Sequence, residues 1–565
     1  MESQMRAKIN DLIRGVYGNT FSATHFKILQ QQIDDAQSLN LSARKKEWDE
    51  SDVVLITYAD QFFDSQGKGI PALTRFFNRW LGAFFSHTHL LPFYPWSSDD
   101  GFSVVDYHSV DPEMGTWHDI ANLKKSTKLM FDFVCNHMSA KSKWFANYLQ
   151  QQTGYEDFFI AVDPSTDLSA VTRPRALPLL TPFTLHTGEV RYLWTTFSED
   201  QIDLNFASPN VFIAMVDVLL RYLKEGADYI RLDAVGFMWK TPGTSCLHLE
   251  KTHQLIQIFR AIVDVVAPGT VIITETNVPH KDNIAYYGNG YNEAQMVYQF
   301  SLPPLILHAM HCGNVQTLCH WAQGLKLPSK KTTWFNFLAS HDGIGLNPLR
   351  GLLPEQDILD LVDTLQSEGA LISWKNNPDG TRSPYEVNVT YLDALSQKND
   401  GNEQIIAKFI LAHALLLTFP GVPAIYIQSL LGSRNDHEAV KRLGYNRAIN
   451  RTKLNSEEIA HELEASAHLR HAIYNEMVKL ITLRRQHKVF HPDAEAIFEC
   501  PNDSVLKINR VTDEGERLTA LFNFSSSCCN LDSEIKCGRD IITDTLIHKK
   551  TLTLQPWQVM WITEN

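Results

Sequence analysis

Short apolar runs rich in β-branched and aromatic residues recur eight times between residues 53 and 428: VVLITYAD (53–60), THLLPFYP (88–95), KLMFDFVCNH (128–137), DYIRLDAV (228–235), TVIITET (270–276), MVYQFSL (296–302), TTWFNFLASHD (332–342) and AIYIQ (424–428). Most are continuously apolar rather than alternating, as parallel strands covered on both faces must be. Amphipathic stretches with helical spacing, such as 211–225 and 247–266, separate them. Eight such strands alternating with helices predict an α/β fold, a (β/α)8 TIM barrel.

The remaining segments attach to that barrel. Residues 1–50 have helical periodicity only, with stripes at Met5, Ile9, Leu12 and Ile13 and at Phe26, Leu29 and Ile33, and read as an N-terminal helical extension. The barrel occupies 51–137, 208–342 and 398–489. Two gaps exceed an ordinary crossover and predict inserted loop domains at 138–207 and 343–397. From 490 to 565 short alternating runs replace the apolar ones, which indicates a C-terminal antiparallel β domain. The uncharged stretch 409–427 contains His413, Pro420 and Pro423, so it reads as buried helix, turn and strand rather than a membrane span.

A formal net charge of −13 leaves no basic face for nucleic acid, and no Lys/Arg run addresses a membrane surface. MESQMRAKIN lacks the apolar core of a secretory signal, which favours a cytoplasmic protein whose eight cysteines stay reduced. His308, His311, Cys312, Cys319 and His320 cluster in sequence but lack the paired spacing of a zinc site.

Polar residues collect where the strands end, the rim on which barrels of this kind build active sites. They are Asp99, Asp132, Asn136, His137, Arg231, Asp233, Glu275, His341 and Asp342. Any one of them is equally explained as a cap or a core ion pair; together they indicate chemistry. Two carboxylates facing a sugar cleave glycosidic bonds, one attacking and one exchanging a proton with the leaving oxygen. Asp233, two residues after Arg231 on the same strand face, suits the ionised, attacking role. Glu275 closes an apolar strand with no cation adjacent in sequence, which suits a raised pKa and acid/base work.

DFVCNH (132–137), RLDAV (231–235), ITET (273–276) and ASHD (339–342), in this order, resemble the four signature regions of the α-amylase superfamily, with QIDLN (201–205) and GVPAIYI (421–427) similar to two accessory ones. The resemblance implies that Asp233 is the nucleophile, Glu275 the acid/base and Asp342 the transition-state stabiliser. It implies that Asp99, His137, Arg231, His341 and Arg447 bind the glucosyl unit over a platform at Phe102. LITYAD, GTSC, SLPPLILHA, HDGIG and GYNRAINR are similar to the sucrose-phosphorylase-like subfamily, whose members pass glucose to phosphate with retention, a double displacement using carboxylates about 5 Å apart. That likeness implies no cofactor and no metal, a sugar and inorganic phosphate as partners, and a homodimer. Asn136 matches a calcium-binding position of α-amylases, but 138–207 has no acidic calcium loop.

Phosphate beside carboxylates needs local cations, and TRPRALP (172–178) supplies Arg173 and Arg175. Arg175 and Tyr385 match the subfamily's phosphate-binding arginine and its tyrosine partner. Around Tyr385 the chain departs from the sucrose pattern, with Arg382, Ser383 and Glu386. Arg382 or Arg173 would suit an anionic leaving group, with Glu386 accepting from its hydroxyl.

Overall fold

All eight runs form strands: β1 (Val54–Thr57), β2 (His87–Leu90), β3 (Lys128–Phe133), β4 (Ala227–Leu232), β5 (Val271–Thr274), β6 (Met296–Tyr298), β7 (Thr333–Phe337) and β8 (Val422–Tyr426). The computed structural model describes all residues except 1, 42–43, 45–47, 378, 533–534, 536, 549–550 and 565. Every strand pairs in parallel with its neighbours, and the sheet closes in the order β1-β8-β7-β6-β5-β4-β3-β2. β1, β5, β7 and β8 are buried along their whole length, which is why they are mostly apolar, with Thr57, Thr274, Thr333 and Asn336 as buried polar exceptions. β8 starts two residues before the AIYIQ run, whose last part turns into the helix Ile427–Leu430.

The helical extension is a hairpin of α1 (Glu2–Tyr17) and α2 (Ala23–Ser38). α2 lies along the barrel helix α3 (Pro209–Lys224) and α1 along α4 (Glu250–Val266). Ile9 and Ile13 of α1 and Leu29 and Ile33 of α2 are buried, while Met5 and Leu12 are half-buried at the margin of the stripe. Ser22 and His25 form a reciprocal cap that starts α2. Arg6 joins Asp34 across the hairpin at 2.6 Å, and the Tyr17 hydroxyl donates to the Phe206 carbonyl at 2.7 Å.

Both long gaps leave the C-terminal ends of strands, after β3 and β7. Within 138–207 are the helix Lys143–Leu149 and the hairpin Leu180–Thr184 with Val190–Trp194. Within 343–397 are the helix Glu355–Ser367 and a sheet ordered Ile344–Gly345, Arg382–Asn388, Leu371–Asn376. From Glu495 onward the chain builds a six-stranded antiparallel sheet and a two-stranded one. It docks on the helix Asn402–Thr418, where Trp561 Nε1 donates to Thr418 Oγ1 at 2.9 Å and the buried Arg510 donates to the Thr418 carbonyl at 2.5 Å. Among the described residues no helix is long and apolar enough to cross a membrane.

Burial of Ile13 at 0% exposure makes the hairpin part of the packed protein. Ile13→Ala is expected to cost about 2–4 kcal/mol and to lower the thermal unfolding midpoint accordingly; a midpoint unchanged in calorimetry would mean that the hairpin does not stay docked.

Candidate active site

Strand alternation turns Arg231 of β4 into the barrel, and the parallel register sets it beside Asp132 of β3. Their side chains are 1% and 0% exposed, so neither charge is tolerable without the other. Arg231 Nη1 donates to Asp132 Oδ1 and, at 2.7 Å, to Asp233 Oδ1, while Nε donates to the Tyr298 hydroxyl at 3.0 Å. The second carboxylate oxygen of Asp132 meets His89 Nε2 at 2.6 Å. After Asp233 the chain turns at Ala234, a left-handed residue (φ 47°) whose N–H donates to Glu275 Oε2 at 3.0 Å. Glu275 thus has a cation close by after all: the pairing of Leu232 with Thr274 carries it to 3.6 Å from Arg231 Nη2.

Burial pushes the carboxyls of both Asp233 and Glu275 up; Arg231 opposes the rise, and the neighbouring carboxylates add to it. Two such groups against one guanidinium titrate as a coupled pair. Arg231 is 2.7 Å from Asp233 and 3.6 Å from Glu275, so the negative charge is better held on Asp233 and the proton on Glu275. Asp342 is set apart from both. Burial disfavours its charge, but Arg447 at 2.6 Å, with His341 and Arg231, more than offsets this and holds it well below the ordinary carboxylate range.

The remaining glucosyl candidates surround this centre. The rings of Phe102 and His341 stack with centroids 4.7 Å apart, and the Arg231 guanidinium lies 5.7 Å from the Phe102 centroid. His137 Nε2 contacts the Phe102 carbonyl at 2.9 Å. Gln201, from the QIDLN segment, reaches Asp99 Oδ2 at 3.2 Å, and Arg451, which ends GYNRAINR, bonds Asp100 at 2.8 Å and approaches Asp99 at 3.7 Å. Neither Gln201 nor Arg451 was singled out from sequence, although both stand inside quoted motifs. Arg447 bridges Asp342 and Glu386, gripping Glu386 through two hydrogen bonds of 3.0 and 2.8 Å. The first glycine of HDGIG has a steric reason: a Cβ on Gly343 would lie 2.3 Å from Glu386 Cγ.

Asp99, Phe102, His137, Gln201, Asp233, Glu275, His341, Asp342 and Arg447 line one cavity of about 330 Å³ at the C-terminal rim, together with Arg173, Arg175, Tyr385 and Glu386 from the two insertions, whereas Arg231, expected from sequence to bind the glucosyl unit, is buried outside the lining and reaches it only through Asp233. Arg175 lies over the Phe197 ring at 5.8 Å, and the Tyr385 hydroxyl is pushed up to about 12, by burial first. Arg382 is outside this lining: it is exposed and covers Trp374 at 5.5 Å. The cause is a bulge. Ser373 pairs with Glu386 and Trp374 with Pro384, so Tyr385 is an extra residue and the strand changes face across it. The face carrying Tyr385 and Glu386 continues as Ser383 and Lys375, not Arg382. Lys375 and Arg350 therefore join the cavity, two cations that no motif marked.

Asn136 does not present a free ligand. Lys240 Nζ meets Asn136 Oδ1 at 2.8 Å and Asp203 Oδ2 at 2.6 Å, so an ammonium occupies the position between the two oxygens, and they do not fit a divalent cation. Among the described residues no group of three or more His, Cys, Asp and Glu side chains is arranged to hold a metal ion.

Residues 58–344 match the alpha amylase catalytic domain. The chain is 64% identical to the glucosylglycerate phosphorylase of Escherichia coli (strain K12), across 99% of this chain and 100% of that one. It is 45% identical to the glucosylglycerate phosphorylase of Allomeiothermus silvanus, over 92% of each. The crystal structure of sucrose 6F-phosphate phosphorylase from Thermoanaerobacter thermosaccharolyticum superimposes with a TM-score of 0.74 at 25% identity, covering 84% of this chain and 94% of that one. The chain belongs to the alpha-amylase family and, within it, to the glucosylglycerate phosphorylases.

Proposed function

We propose that the protein catalyses the reversible phosphorolysis of 2-O-α-glucosyl-D-glycerate, giving α-D-glucose 1-phosphate and D-glycerate with retention. The observation that carries this reading is the pair Asp233 and Glu275 held against one buried guanidinium, in a cavity also lined by Arg173, Arg175 and Lys375, none of which has a carboxylate within 4.0 Å among the described residues. Two carboxyls close enough to share Arg231 suit a double displacement.

In the first step Asp233 attacks the anomeric carbon, while Glu275 delivers its proton to the glycosidic oxygen and glycerate departs. A covalent glucosyl ester of Asp233 results. In the second step an oxygen of hydrogen phosphate attacks the same carbon from the vacated face, its proton returns to Glu275, and the ester bond to Asp233 breaks. Asp342, kept ionised by Arg447, takes sugar hydroxyls that bind most strongly as the ring flattens. Asp99, His137, His341 and Arg447 form the glucosyl site, with Phe102 under the ring and Arg231 holding Asp233 in place from outside the cavity lining. Arg173 and Arg175, which make no ion pair within 4.0 Å among the described residues, attract phosphate with Tyr385, and Glu386 closes the acceptor side.

Sucrose and sucrose 6-phosphate phosphorolysis is the second reading, supported by the structural likeness just described. We further propose a cytoplasmic location, which the unbridged buried thiols of Cys135, Cys246 and Cys319 suit.

Glucosylglycerate, sucrose, sucrose 6-phosphate and glucosylglycerol, each supplied with phosphate, separate these readings. Glucose 1-phosphate is expected chiefly from the first; faster release from either sucrose donor would favour the second reading, and free glucose in every case would make the protein a hydrolase.

Asp233→Asn is expected to lower turnover at least about 1,000-fold. Its folded pKa is raised, so above the unfolded value its charge opposes folding, and the neutral amide should leave the thermal midpoint equal or higher at pH 7. Loss of activity together with a lower midpoint would instead mark Asp233 as structural.

The rate against pH should be bell-shaped, falling at low pH as Asp233 is protonated and at high pH as Glu275 loses its proton. Because burial raises Glu275, the descending limb is expected above the ordinary range of a glutamate, and Glu275→Gln should abolish that limb with an activated leaving group. A descending limb that persists in this variant would assign it to another residue.

A further inference from the structure

Two cations on the second insertion converge on a single neutral oxygen. Arg350 Nη1 donates to Asn347 Oδ1 at 3.0 Å, and Lys375 Nζ approaches the same atom at 3.4 Å. Both side chains line the cavity. Arg350 is further anchored by the Pro384 carbonyl at 3.2 Å and has only a peripheral carboxylate, that of Glu355, at 3.4 Å and 53% exposed. Among the described residues no carboxylate lies within ion-pair distance of Lys375. Converging like charges inside a cavity are unfavourable unless an anion completes the arrangement. Burial, followed by the repulsion of Arg350, lowers the Lys375 ammonium from its ordinary value, so an incoming anion would relieve both groups.

Position decides which anion this is. The glucosyl end of the cavity carries Asp99, Phe102 and His341. Arg350 and Lys375 are tied to the strand Arg382–Asn388, which bears Tyr385 and Glu386. Lys375 pairs with Ser383 on the face that the bulge at Tyr385 turns inward. A planar guanidinium fork and a point ammonium on one side of an acceptor fit a carboxylate with two oxygens. The loop bearing Arg173 and Arg175 supplies a separate pair of cations from the other insertion.

We infer that Arg350 and Lys375, with Asn347 between them, form the site that holds the carboxylate of the leaving acid, distinct from the Arg173 and Arg175 loop that takes phosphate. This rests on the reading that the acceptor is D-glycerate. A neutral acceptor such as glycerol leaves both cations uncompensated, so the site selects acids over alcohols of the same length.

The synthetic direction tests it, with α-glucose 1-phosphate as donor and D-glycerate or glycerol as acceptor. Lys375→Met and Arg350→Gln are each expected to raise KM for D-glycerate about 10- to 100-fold, with KM for glucose 1-phosphate moving less than about two-fold and the preference over glycerol reduced. Lys375→Arg should recover most of the affinity. Arg175→Ala should act on KM for phosphate in the phosphorolytic direction instead. An unchanged KM for D-glycerate in both variants, or a KM for phosphate raised as far in Lys375→Met as in Arg175→Ala, would overturn the assignment alone. A wild-type enzyme that ignores D-glycerate and glucosylates a neutral acceptor would overturn the proposed function and this site with it.

Discussion

The Arg231 guanidinium is the group on which the rest of the site depends. It is almost fully buried and binds Asp132, Asp233 and the Tyr298 hydroxyl, with Glu275 at 3.6 Å. One positive charge cannot neutralise three carboxylates. The surplus negative charge, with burial, raises the carboxyls of Asp233 and Glu275, and Arg231 hydrogen-bonds Asp233 at 2.7 Å but only approaches Glu275, at 3.6 Å. A barrel interior suits such an arrangement, because parallel strands in fixed register bring charged groups from β3, β4 and β5 together without a flexible loop. Asp342 is excluded from this sharing by its own cation, Arg447, so acids lining one cavity have different protonation states.

Arg447 also connects the barrel rim to the second insertion. It joins Asp342, after β7, to Glu386, on the strand Arg382–Asn388. Gly343 is small because Glu386 occupies the space that a side chain there would need. The second insertion is thereby set against the barrel rim by an ion pair and a close contact.

The barrel-rim wall of the cavity was legible in sequence because it follows from strand alternation. Eight apolar runs imply a closed barrel, the C-terminal rim implies where the polar residues meet, and residues two apart on a strand share a face. Asp233 beside Arg231 follows from that geometry, whereas the stacking of Phe102 on His341 appears only in the structure. The wall supplied by the second insertion was not legible in the same way. Arg382 stands three residues before Tyr385, and simple proximity placed it in the site; one extra residue at Tyr385 turned it away and brought in Lys375.

By itself the sequence determined the barrel, the rim on which the chemistry sits and the acids that line it, since these depend on local periodicity and on the order of strands. Only the tertiary structure decided the rest. The cation beside Glu275 comes from register between β4 and β5, the unequal distances of Asp233 and Glu275 from one guanidinium from the way the strand ends meet, and the place of Lys375 in the cavity from a bulge in a three-stranded sheet. Each joins residues far apart in the chain, or turns on a single inserted residue, and neither leaves a periodic trace in the sequence.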